Sequence, residues 1–564
     1  MSAVLETSLS RTGPPLNPAS SGREGAVVLA LGRVEARHLL RHPLFLAGAA
    51  LSLLLSLPGP YLQAPVLHRD DIAIALWLLP LAGATLLVVN LAVLRARRHD
   101  TTELYESLPA SPSARTGGHL VSLGAAAVVA ALVVVAAVAY MVALGGIWAP
   151  SAAELATGPA IVVLAGALGV LAARWAPSPT LAPVLLVALA AVETSLSGTP
   201  RWFAPRIGIG TMPRELFIRP AGWHLLYLLG VAGLVAVAAL WRHGTTPRLA
   251  VAGAAIVSLI AVTGVMQTRP PSTSQQAAIA ELVTSGEALA CEARGTVEYC
   301  AFPAYRGWVE RWAAVVEPVL QRTPAPLSDR GLVVRQRPED YEVYNADISP
   351  STRARLFDEA GHPVAQPHDG SVSVGMRWGR GPSLGRAQLV LALDTAAWAV
   401  GLPLAAGDYQ VEDDDGSLLE TASCWSGGQA RSVVALWLAG SATLATDAAL
   451  RAVIAAEPYA FGPPAQYRLL FGQFSVSAPI RWSKADTNYA AQLLDRPTDE
   501  VTAFVNDHWD QLVDPTTTTD DLVALAGLDV LPTRAEPLRA AGVEGGGGGG
   551  GGVDDPLLGG VACP

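Results

Sequence analysis

Seven stretches of the chain are apolar for long enough to cross a membrane, roughly 43–62, 72–94, 119–146, 158–175, 180–198, 222–241 and 248–267. A spanning helix needs about 20 such residues, because every backbone polar group must be bonded within the segment. Pro58 and Pro60 interrupt the end of the first stretch. The fourth and fifth are short and joined by Ala176-Pro177-Ser178-Pro179, which reads as a tight helical hairpin. After residue 269 the pattern changes. Trp308, Trp312, Val315, Val316 and Val319 form one helical stripe, and 331–337 and 372–378 read as strands. Further helices are predicted over 386–400, 429–441, 446–456, 485–495 and 498–513. Segment 387–402 is apolar enough for an eighth span, but Asp394 and Pro403 argue against it.

These patterns predict an α-helical polytopic membrane protein with about seven transmembrane helices and a C-terminal mixed α/β domain. The expected layout is a disordered tail over 1–25, an amphipathic helix over 26–42 and a six-helix transmembrane domain over 43–246. A seventh helix follows over 247–268, then an α+β domain over 269–541 and a flexible Gly-rich tail over 542–564, with glycine alone at 545–552. In 27–42, Val27, Val28, Leu31, Val34, Leu39 and Leu40 mix with Arg33, Glu35, Arg37 and Arg41, the pattern of a helix lying in the membrane interface.

Arginine placement sets the expected orientation. With the N-terminus inside, Arg33, Arg37, Arg41, Arg95, Arg97, Arg98, Arg115, Arg174, Arg242 and Arg248 are cytoplasmic, and Arg69, Arg201, Arg206, Arg214, Arg219 and Arg269 are outside. Seven spans then put the C-terminal domain outside a cell (plasma) membrane. Cys291 and Cys300 are close enough to pair there as a disulfide. The polar first thirty residues do not resemble a cleavable signal, so the first span is expected to stay in the mature protein.

Composition narrows the function classes. Hydrophobic residues make up 51% and charged residues 15%, and the charge deficit lies in the first half; an ordinary soluble chain has about 25% charged residues. A net charge of −10 makes nucleic acid an unexpected partner. Nearly all cations are arginine, with Lys484 the single lysine, as in a high-GC bacterial genome. Polar groups within the apolar stretches are few: Asn90, Glu193 and His224.

The loop after the second span runs Arg95-Ala-Arg-Arg-His-Asp-Thr-Thr-Glu-Leu-Tyr-Glu-Ser-Leu-Pro109. Asp100 and Glu103 fit a capping box, Leu104 and Leu108 share a face, and Pro109 stops the helix. The spacing predicts a short amphipathic helix whose leucine ridge and acids suit a groove on a partner.

On this stretch, "RARRHDTTELYESLPASPSART", the chain resembles ABC-2-type permeases, the membrane subunits of one class of ABC transporters; "GRVEARHLLRHPLFLAG" resembles their interfacial entry helix. The resemblance covers roughly 26–245. It implies an ABC-2-type bundle and an ATPase-coupling helix formed by Glu103, Leu104, Tyr105, Glu106 and Leu108. It also implies an ABC ATPase subunit as partner, a homodimer in the lipid membrane, and transport of an unknown substrate, with export the expected direction. The aromatic loop 198–221 would be a re-entrant or interfacial segment. The seventh span and the large outer domain depart from that family's pattern.

No GxxxxGK[ST] loop is present, since Lys484 follows Ser483, so ATP is expected on a partner and this chain needs no cofactor of its own. HExxH and GxSxG are absent as well. His362 and His368, and the acidic run Glu412 to Asp415, read as solvated turns rather than metal ligands. The alternative reading is a membrane-anchored extracytoplasmic enzyme or binding protein.

Overall fold

The computed structural model of the chain describes residues 20–57, 62–101, 103, 110–195, 220–269, 274, 289–328, 331–336, 370–402, 410–412, 418–421, 426–456 and 482–530. Its N-terminal half is helical: α1 Ser20–Arg41, α2 Pro43–Leu55, α3 Leu67–Trp77, α4 Leu79–Val93, α5 Pro112–Ala143, α6 Ala152–Trp175, α7 Leu181–Ser195, α8 Ala221–Trp241 and α9 Pro247–Gln267. All seven predicted apolar stretches contain helix, but not all are long enough to span. Among the described residues five helices are long and apolar enough to cross a membrane: 73–93, 112–143, 152–175, 221–241 and 247–267. The count reaches six if α1 and α2, bent 63° apart, form one span. The prediction of seven is corrected accordingly. Helix α2 has 13 residues, about 20 Å at helical rise, against about 30 Å of hydrocarbon; α7 is described over 15 residues.

The helices run alternately between two ends. At one end lie the segments 62–66 and 144–151, tied together by Leu67 N–H to Ile147 O at 3.0 Å and Ile147 N–H to Pro65 O at 3.1 Å. At the other end lie 95–101, 110–111, 175–180 and 242–247, where Trp175 Nε1 donates to Ala238 O at 2.9 Å. Helix α9 returns to the first end, and Gln267 there meets His224 of α8 at 3.0 Å.

The C-terminal half has its own core. Strands β1 Ala290–Arg294, β2 Val297–Ala301, β3 Leu332–Gln336 and β4 Val372–Val374 form one sheet in that order, β1 and β2 antiparallel, the others parallel. Helix α10 (Val309–Leu320) carries the chain from β2 to β3, the crossover that a parallel pair requires. Its buried Val309, Trp312, Val316 and Val319 follow the helical period. Helices α11 (Leu384–Ala399) and α12 (Ala430–Ser441) complete the core, with α13 Leu444–Ala456, α14 Lys484–Leu494, α15 Thr498–Asp507 and α16 Thr519–Ala526 around it. The apolar 387–402 segment is thus part of a buried core helix beside the sheet, not an eighth span. A separate hairpin pairs β5 Gln410–Glu412 with β6 Leu418–Thr421.

Candidate functional site

The end remote from the C-terminal domain carries Arg95 to Thr101 and Glu103, the described part of the loop with the predicted coupling segment. Helix α1 docks along the first turns of α5, where glycines let the two backbones approach. A Cβ on Gly118 would stand 2.8 Å from Leu31 Cβ, and one on Gly32 would stand 2.7 Å from Val121 Cγ1. This helix starts at Ser20, inside the stretch read as tail, and it packs on the bundle rather than only flanking it.

Polar contacts tie α1 to the predicted loop. Arg95 donates to both carboxylate oxygens of Glu35, at 3.2 and 3.5 Å, and His119 Nδ1 lies 3.8 Å from the same group. Ser111 accepts the Ala114 N–H at 3.1 Å and, with Pro112 in the first turn, starts α5. Glu24 accepts a hydrogen bond from Ser111. Thr116 Oγ1 lies 3.1 Å from Pro112 O and 2.8 Å from His243 Nε2, within hydrogen-bond reach of both. Burial, and then Arg174, Arg242 and Arg115, hold the His243 imidazole below its usual pKa.

Within the loop, Arg95–Arg98 forms a single helical turn. Asp100 then takes a positive φ of 50°, with Asp100 N–H to Arg97 O at 3.4 Å and Thr101 N–H to Ala96 O at 2.9 Å. That is the Schellman pattern of a helix end. Asp100 therefore terminates that turn. Glu103 is helical and exposed. Leu104, Tyr105, Glu106 and Leu108 lie outside the described residues, as do most of loop 198–221, His362, His368, Asp413 to Asp415 and the tail over 542–564.

The opposite end joins the bundle and the C-terminal domain through backbone hydrogen bonds. Ala64 N–H donates to Trp378 O and Arg380 N–H to Leu62 O, both at 2.8 Å. Ala64 and Val66 are buried in the C-terminal domain's core, and Ile147 and Trp148 pack against it. Trp148 has a φ of 69°, sterically costly for a bulky residue. Its ring lies 5.0 Å from that of His68. Nothing in the residue pattern pointed to this junction.

Cys291 and Cys300 face each other across the β1–β2 ladder and are joined as a disulfide, Cα to Cα 4.0 Å. Among the described residues one group of metal-ligating side chains converges, Cys291, Glu298 and Cys300, and both its sulfurs are in that bond. No protein-family model, curated protein or solved structure matches this chain.

Proposed function

We propose that the chain is the permease subunit of an ATP-driven transporter, working as a homodimer with two copies of a separate ATPase. The supporting observation is the layer at the arginine-rich end. Glu35 of α1, Arg95 at the start of the loop and His119 of α5 meet there, so a push on the loop reaches two long helices directly. On this reading that end is cytoplasmic, and the segment around Glu103, Leu104, Tyr105, Glu106 and Leu108 docks on the ATPase. The outer domain lies across a plasma membrane, with its disulfide in an oxidising compartment. It also follows the bundle, because residues 62–64 are bonded to 378–380. That attachment favours a moving partner over a passive anchor. Nucleotide chemistry takes place on the partner, and this chain contributes conformational change, with export as the direction.

The test is Leu104→Asp against Glu106→Gln. Burying a leucine contributes roughly 1.5–3 kcal/mol, whereas an exposed rim charge contributes about 0–1 kcal/mol. Leu104→Asp should abolish copurification of the ATPase and its coupled activity, and Glu106→Gln should leave most of both. An unchanged complex with Leu104→Asp makes the loop a connector. A ligand-binding or hydrolytic activity in isolated 270–540 would instead support the anchored-enzyme reading.

A further inference from the structure

The arginine-rich end gathers cations at three adjoining helix ends. Thr116 of α5 lies 2.8 Å from His243 just beyond α8, and Trp175 of α6 bonds Ala238 of α8 at 2.9 Å, so Arg115, Arg174 and Arg242 are neighbours there, all within electrostatic reach of His243, and Arg97 lies within reach of Arg174. The nearby acid Glu35 is already engaged by Arg95. Among the described residues no carboxylate pairs with Arg97, Arg174 or Arg242. Arg174 Nε is buried without a hydrogen-bond partner, a donor whose burial costs free energy until something accepts from it.

Depth says what that acceptor is. Trp175 and Trp241 stand next in sequence to Arg174 and Arg242, and their side chains are outward-facing, 56% and 38% exposed. Exposed tryptophans at the ends of apolar helices mark the headgroup level of a bilayer. The cations therefore lie where lipid phosphates lie, clustered at three helix ends.

We propose that Arg174, Arg242 and Arg115, with Arg97 at the rim, form a binding site for the phosphate of an anionic phospholipid headgroup. Basic clefts between helix ends are suited to such headgroups, and a guanidinium fork matches phosphate oxygens in pairs. The site pins α5, α6 and α8 to one another through the lipid. It requires embedding in a membrane and does not depend on the transporter reading.

The experiment uses the full chain purified in detergent and titrated with short-chain phosphatidylglycerol, short-chain phosphatidylcholine or inorganic phosphate, with thermal unfolding as the readout. Phosphatidylglycerol should raise the melting temperature saturably and phosphatidylcholine should not. Arg174→Gln and Arg242→Gln should each weaken the apparent affinity roughly ten- to hundredfold, the size of a lost charge-assisted hydrogen bond. Arg242 is exposed, so its variant folds even if Arg174→Gln does not. Arg248→Gln removes an exposed arginine at the same end but outside the cluster, and it should cost about fivefold or less, as for any cation near an anionic surface. No preference for phosphatidylglycerol in the wild type overturns the proposal. An Arg248→Gln effect equal to that of Arg242→Gln does so too, since it reports diffuse attraction. A full shift with inorganic phosphate makes the ligand a free phosphate and overturns the lipid assignment.

Discussion

Where α4 and α6 cross in the helix bundle, a Cβ on Gly169 would stand 2.5 Å from the carbonyl oxygen of Leu86. In the outer domain the corresponding space is filled by Trp308, Trp312, Trp437, Tyr299 and Tyr305, all fully buried. The bundle core is mostly Ala, Val, Leu and Gly, with Phe45 its one aromatic among the fully buried residues described. The contrast follows from the solvent each half meets. Lipid is as apolar as leucine, so helices in it gain by close backbone approach at small residues. In water the gain scales with apolar area removed, which favours large rings.

The surfaces differ in the same sense. Val128, Leu132, Val135 and Val142, spaced along one face of α5, are 54–63% exposed. Such a stripe is suited to hydrocarbon and would be a liability in water. Among the described residues of the outer domain, the exposed large hydrophobics are Leu444, Leu525 and Val530.

The sharpest test separates the two cores. Trp312→Ala should destabilise the outer domain by about 3–5 kcal/mol and leave the bundle intact, read by proteolysis of 289–530 against retention of the spanning fragments. Loss of both together would mean that the 62–64 to 378–380 junction makes them one cooperative unit.

Replacing Cys291 and Cys300 with alanine should cost the outer domain about 2–3 kcal/mol, since the loop between them is short. Mass spectrometry of non-reduced protein taken from membranes should show the linked peptides. Two free thiols there would place β1 and β2 in a reducing compartment and reverse the proposed orientation.

In the bundle the sensitive change is addition, not removal. Gly169→Ala should cost about 1–3 kcal/mol by forcing α4 and α6 apart, and should disturb the Asn90 Nδ2 to Gly169 O contact at 3.3 Å. The measurement is thermal unfolding of the bundle in detergent. A neutral result would mean that the helices slide freely, as a loosely packed anchor could.

The same physics decides what was legible in the residue pattern. Helical periodicity located every predicted helix of the bundle and α10 to α15, because apolar stripes report burial whatever the partner. It overstated α2, which ends at Leu55, short of Pro58 and Pro60. It missed β1 and β2. Their signal was present, two alternating runs around Gly295-Thr296, with Gly295 at a φ of 59° and Arg294 paired to Val297. The cysteines there were read for their redox chemistry and not as a strand register. The cation cluster was legible only as arginines scattered over 97–242, since nothing local in sequence brings Arg115, Arg174 and Arg242 together.

The smallest expected effect concerns a polar pair inside the bundle. His224 and Gln267, 3.0 Å apart and fully buried, hold α9 to α8, the one bundle helix it packs against extensively. In water a buried pair of this kind would be costly to break, because the orphaned partner loses its solvation. In a membrane the unfolded reference also lacks water, and interhelical hydrogen bonds average about 0.6 kcal/mol. Gln267 Nε2 is also buried without a partner, so substitution relieves one cost while it imposes another. Gln267→Leu should therefore change the stability of the bundle by less than about 1 kcal/mol, measured as the unfolding midpoint in detergent. A loss near 3 kcal/mol would show that this end of α9 meets water, and that α9 is held by a solvated contact instead of a lipid-facing one.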